Sequence, residues 1–180
     1  MPKMLVPLAE GFEEIEAITI IDVCRRGGIE VIVAGVNEMT IKGGQGIEVA
    51  ADCLLDSLDI DNFDMITLPG GLAGTLVLSE SENVQSILKQ MKEQGKYIGA
   101  ICAAPLALHT ADVLNEEFTC YPSIENQIRI EGYHQDQSTI IDGKVMTSQG
   151  VGTAIDFALN IVRELQGESS FKDLKESILA

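Results

Sequence analysis

Short apolar runs rich in β-branched residues alternate along this chain with longer segments of helical period. KMLVPLA, FEEIEAITIIDVCRR and IEVIVAG read as strand, helix and strand, a βαβ opening that commits the fold to a parallel sheet. FDMITLPGG and KYIGAICAAP are two further strand-to-helix transitions, each an apolar run that stops at small residues. Between Met39 and Leu55 the pattern predicts short strands, with Gly43, Gly44 and Gly46 marking turns or a bulge.

The segment SESENVQSILKQMKEQGK has a serine start, acidic residues in its first turn and a glycine near its end, which predicts a helix. Beyond Thr119 the pattern predicts a helical stretch around SIENQIRI and a hairpin STIIDGKVMTS turning at Asp142-Gly143. Helix GTAIDFALNIVRELQG and a final amphipathic helix in SSFKDLKESILA follow. No internal repeat or linker interrupts the 180 residues, and 46% hydrophobic content is enough for one sizeable core, so a single domain over 1–180 is expected.

Charge narrows the partners. Twenty-eight acidic residues against twelve basic ones give a formal charge of -16, which repels phosphate backbones and anionic headgroups. Nucleic acid and membrane surfaces are therefore not expected as partners. The N-terminal apolar run is too short to span a bilayer and is followed at once by acidic residues, so it reads as the first strand of a cytosolic protein.

Four cysteines, Cys24, Cys53, Cys102 and Cys120, are too few and too dispersed for a disulfide scaffold, and none forms a CxxC pair. No metal-ligand cluster is visible. His109 and His134 share no recognisable spacing with other candidates and read as ordinary surface or packing residues.

In open α/β sheets, functional groups collect beyond the C-terminal ends of the strands. Here that selects three places: Ala9 to Glu16, Pro69-Gly70-Gly71, and Ile101 to Pro105. Cys102 stands where an apolar strand meets Ala103, Ala104 and Pro105, the form of a nucleophile elbow whose small neighbours permit a strained turn. A helix N-terminus there favours a thiolate, making Cys102 the expected most acidic thiol. Position alone also allows a buried structural cysteine, the reading preferred for Cys24 and Cys120, with Cys53 undecided between core and surface.

Gly70 and Gly71 follow a strand and lack side chains, so their N–H groups can approach a reacting atom as an oxyanion hole requires; a tight turn needing positive φ explains them equally. Glu13 and Glu14 suit the start of a helix through the macrodipole alone. Glu16 lies on the side of Phe12, near a stripe of Ile15, Ile18 and Val23 that is expected to carry it inward. A carboxylate held beside a thiolate has its pKa raised and becomes a proton donor at neutral pH.

GFEEIEAITIIDVCRRGGIEV, LPGG, YIGAICAAP and SQGVGTAIDFALNIV stand in the order and spacing of the ThiJ/PfpI superfamily, which the chain resembles over essentially its whole length, most nearly the DJ-one and YajL subgroup. The resemblance implies a flavodoxin-like three-layer α/β/α sandwich with a mostly parallel central sheet, a homodimer, and no cofactor. It implies a reactive Cys102 hydrogen-bonded by protonated Glu16, with backbone donors on Gly71 and Ala103. The implied activities are a glyoxalase or deglycase acting on methylglyoxal and related 2-oxoaldehydes, or a cysteine redox sensor or redox-regulated chaperone. Two departures stand out. Ala103 occupies the place of the histidine that follows the nucleophile in protease-like members, so a peptidase dyad is missing. Tyr121 replaces a histidine before Pro122, and tyrosine donates a hydrogen bond but is a poor base.

Overall fold

The computed structural model describes residues 1–180. Strand β1 (Lys3–Leu8) leads through α1 (Glu14–Arg26) to β2 (Glu30–Gly35). A small hairpin of β3 (Thr40–Lys42) and β4 (Glu48–Ala50) precedes the short β5 (Cys53–Leu54). Next come β6 (Met65–Leu68), α2 (Leu72–Glu80), α3 (Glu82–Glu93), β7 (Tyr97–Ile101) and α4 (Pro105–Thr110). A one-turn α5 (Glu125–Ile128), the hairpin of β8 (Thr139–Asp142) and β9 (Val145–Ser148), α6 (Ala154–Gln166) and α7 (Glu168–Ser177) complete the chain.

The main sheet has the order β5-β2-β1-β6-β7-β9-β8 and is parallel except for β8, which runs against β9. Strands buried on both faces explain the near-continuous apolar runs. From β1, Met4, Val6 and Leu8 enter one core with α1 and α6, while Leu5 enters a second core with α3 and α4. The result is a three-layer α/β/α sandwich. Its central parallel strands β2-β1-β6-β7-β9 follow the flavodoxin-like order, in which the switch point lies between the first and third strands, here β1 and β6.

Local chemistry sets several boundaries. Ser81, not an earlier serine, caps α3, its hydroxyl accepting from the Val84 N–H (3.3 Å), because α2 already occupies the chain up to Glu80. The hairpin pairs Asp142 with Val145, so its two turn residues are Gly143 and Lys144, one position beyond the expected Asp142-Gly143. Gly143 takes φ 59°, which suits the first position of a two-residue loop. The stretch around SIENQIRI yields only the single turn of α5, ended by extended Arg129. Cys120 lies in no strand, since pairing there is limited to a bridge between Phe118 and Tyr133.

Helix α1 is turned differently from the apolar stripe expected of it. Val23 is in the core (5% exposed), but Ile15 and Ile18 face outward at 55% and 45%. Glu14 and Glu16 point inward instead, at 3% and 0%. No helix is long and apolar enough to cross a membrane.

Candidate functional site

The three predicted places converge at the switch point. The loop after β1 delivers Glu13 and the first turn of α1 delivers Glu16, the turn after β6 delivers Gly70 and Gly71, and the end of β7 delivers Cys102 and Ala103. All but Gly70 line an open cleft of about 730 Å³, with Leu72, Tyr121 to Ile124 and Gln149 to Thr153 forming the remaining walls.

Cys102 adopts φ 64°, the left-handed region that costs a non-glycine residue about 1–2 kcal/mol. The surrounding backbone holds it there: its N–H donates to the Ser148 carbonyl (2.9 Å) and its carbonyl accepts from the Tyr121 N–H (2.8 Å). This is the strained elbow expected from the small residues, and it leaves the side chain half-buried at the cleft floor.

Gly70 and Gly71 are required by close approach. A Cβ on Gly70 would lie 2.5 Å from Glu16 Oε2 and 2.6 Å from Cys102 Cβ. Gly71 has φ 86°, and a Cβ there would lie 2.4 Å from the Gly11 carbonyl oxygen. Their donors differ in target. The Gly70 N–H is spent on Glu16 Oε2 (2.9 Å), so it is not the free oxyanion donor the sequence suggested. The N–H groups of Gly71 and Ala103 lie beside the Cys102 sulfur and favour its charged form.

Glu16 Oε1 is buried without a hydrogen-bond partner, and the group beside it is the Cys102 thiol. Burial, helped by the nearby Glu13 charge, raises the Glu16 carboxyl to about 7 against the pull of Cys102 and the Gly70 N–H. Burial and the Glu16 charge push the Cys102 thiol up to about 12, against the pull of the Gly71 and Ala103 amides. The expectation of a thiol acidified by a helix N-terminus is thereby corrected: α4 spans only six residues, and acidity belongs to the pair. Like charges in one desolvated site separate the two proton losses, so above about pH 7 the pair carries a single negative charge between them.

The other thiols are less available. Cys24 and Cys120 are fully buried, and burial pushes both thiols up; Cys53 is half-buried on edge strand β5. His109 is exposed on α4, while His134 pairs with Glu117. Neither lines the cleft, and Ala103 leaves no imidazole next to the sulfur.

Sequence reasoning missed three features. Glu14 is a structural anchor, its Oε1 accepting from the N–H groups of Gln45 (2.7 Å) and Ile47 (3.2 Å) while Gly43 closes against it. Glu13 stands on the cleft wall. The Gly150-Val151-Gly152 loop lines the cleft, with Gly150 facing both Glu16 and Cys102. The glycines bracketing Val151 were its available signal.

The family model for the DJ-1/PfpI family matches residues 2–164. The chain belongs to the DJ-1/PfpI family. It is 39% identical over 178 residues to protein dj-1beta of Drosophila melanogaster, covering 97% of this chain and 95% of that one. The crystal structure of Drosophila melanogaster DJ-1beta superposes with a TM-score of 0.96 at 38% identity, over 99% and 98% of the two chains. A Caenorhabditis elegans relative named glutathione-independent glyoxalase DJR-1.2 is 36% identical over 166 residues, 92% of this chain and 89% of that protein. Protein DJ-1 homolog B of Arabidopsis thaliana is 35% identical, but the chain spans only 41% of its length.

Proposed function

We propose that the chain is a cofactor-independent glyoxalase of the DJ-1/PfpI family, acting on methylglyoxal and related 2-oxoaldehydes and protecting against carbonyl stress. The observation that carries this reading is the buried, unpartnered Glu16 Oε1 beside the strained Cys102 thiol. The glyoxalase name of the nematode relative supports it.

In the proposed reaction, the Cys102 thiolate adds to the aldehyde carbon. A C–S bond forms, the carbonyl π pair moves to oxygen, and Glu16 supplies the proton that makes a thiohemiacetal. Glu16, now a carboxylate, takes the C1 proton to give an enediolate; the C1 hydroxyl proton passes to the C2 oxygen, and Glu16 returns its proton to C2. The product is a thioester of a 2-hydroxy acid. Water cleaves the C–S bond, releasing the hydroxy acid and restoring the thiol. The aldehyde carbon is oxidised as its neighbour is reduced, so no external electron acceptor enters. The Gly71 and Ala103 amides stabilise the thiolate before attack, and Tyr121 contributes at most a hydrogen bond to substrate.

Mixing the purified chain with methylglyoxal in the absence of glutathione tests the proposal. One hydroxy acid should form per aldehyde over many turnovers. Consumption that stops at one equivalent per chain would indicate thiol trapping instead.

A second reading rests on the same amides. A sulfinate on Cys102 would be held by Gly71, Ala103 and protonated Glu16, which suits a redox sensor or redox-regulated chaperone. We further infer a homodimer that covers the exposed Ile15 and Ile18 of α1, to be checked by sedimentation, and a reducing, cytosolic setting suited to four free cysteines.

A further inference from the structure

The cleft is much larger than a three-carbon aldehyde needs: about 730 Å³ lies in the range that holds drug-sized ligands. Its upper wall is apolar. Leu72 and Val151 are exposed there, beside Tyr121 and Pro122. No lysine, arginine or histidine lines it, and its charged side chains are Glu13 and Glu16. Glu16 accepts from the Gly70 N–H and is fully buried beside Cys102. Glu13 is not: it is half-buried and takes part in none of the ion pairs of the chain. Its backbone is fixed by the N–H bond to the Gly70 carbonyl (2.9 Å), on the turn that also places the Gly71 N–H beside the sulfur.

We propose that Glu13 is a specificity-determining residue: with the apolar wall, it restricts the cleft to uncharged 2-oxoaldehydes bearing an apolar group and turns away carbonyl compounds that carry a carboxylate. The substrate class rests on the glyoxalase reading above; the charge selection does not. An uncompensated carboxylate beside a low-dielectric wall repels an incoming anion more strongly than a solvated surface charge does. The same repulsion acts in the useful direction at the end of the cycle. The substrate enters neutral and the hydroxy acid leaves as an anion, so the charge that excludes anionic substrates also expels the product.

Two reagents that differ only in charge test this without relying on turnover. Cys102 alkylation by iodoacetamide and by iodoacetate is followed by peptide mass analysis, each rate being normalised to the same cysteine in the denatured chain. The native cleft should favour the neutral reagent by roughly tenfold at low salt, and less at high salt. Glu13→Gln should reduce that preference several-fold. Glu93→Gln, which removes an equal charge from the exposed end of α3, should not. Equal preference in wild type and Glu13→Gln, or an equal fall in Glu93→Gln, overturns the proposal. A second arm compares turnover of phenylglyoxal with that of its 4-carboxy derivative. Turnover of both at equal efficiency contradicts Glu13 as a selector. Selective alkylation with no turnover of either supports the selector and contradicts the glyoxalase reading.

Discussion

Glu16 Oε1 and Cys102 Sγ face the same point of the cleft: a Cβ on Gly150 would stand 3.8 Å from the oxygen and 4.0 Å from the sulfur. The fold brings them together from two different strand ends, on opposite sides of Gly70, and closes the space so tightly that only glycine fits between them.

Glu16→Gln should lower kcat/KM by about 10²–10⁴-fold, the range typical of a general acid–base group. In the wild type, kcat/KM should rise as pH increases through about 7, where the pair loses its first proton, and then level off. The glutamine variant should lack that rising limb. Steady-state rates across pH 5–9 supply the check.

The same carboxyl predicts a stability effect. Its folded pKa, about 7, is raised from 4.5, so the protonated form favours the folded state. That stabilisation is complete below about pH 4.5 and is lost as pH rises through 7. The loss is on the order of 3 kcal/mol. Urea denaturation at pH 5 and pH 8 should therefore show a larger decline for wild type than for Glu16→Gln.

Gly70→Ala should destabilise the chain by about 1–3 kcal/mol and abolish most activity, since the new methyl group meets both Glu16 and Cys102. Gly152→Ala should change stability by less than about 0.5 kcal/mol, because nothing lies within 4 Å of the added Cβ. Thermal melts of the two variants give the comparison directly.

Tyr121 is more than half exposed and its hydroxyl makes no hydrogen bond within the chain. Tyr121→Phe should lose no more than one ordinary hydrogen bond to substrate, about 0.5–1.5 kcal/mol, or roughly tenfold in rate. A loss matching that of Glu16→Gln would move the proton-transfer role to the tyrosine.

Mild peroxide should convert Cys102 to sulfinate before Cys53, and well before the fully buried Cys24 and Cys120. Peptide mass analysis of a time course reads the order. Oxidation of Cys53 first would remove the support for a pair-activated thiol.

Much of this arrangement was legible because small residues at strand ends have few explanations. Ile101 to Pro105 and Pro69-Gly70-Gly71 announce the elbow and the turn, and the βαβ alternation fixes the layers. Glu16 was placed inward correctly but through the wrong neighbours, since Ile15 and Ile18 point outward. The cause lies outside the helix: Glu14 is drawn in by the N–H groups of Gln45 and Ile47, a contact 31 to 33 residues away in sequence. The donor assignment of Gly70 failed for a related reason, because a free N–H cannot be told from one claimed by a distant carboxylate. The Pro122 to Ile124 wall carries no local sequence signal at all; it reaches the cleft through the Tyr121 N–H bond to Cys102.

The most direct test of the central claim compares wild type with Cys102→Ser in glutathione-free methylglyoxal, measuring aldehyde loss and hydroxy acid together. Wild type should turn over repeatedly with matched loss and product, and Cys102→Ser should fall to the uncatalysed rate. Hydroxy acid formation by Cys102→Ser at a rate close to wild type would contradict the account.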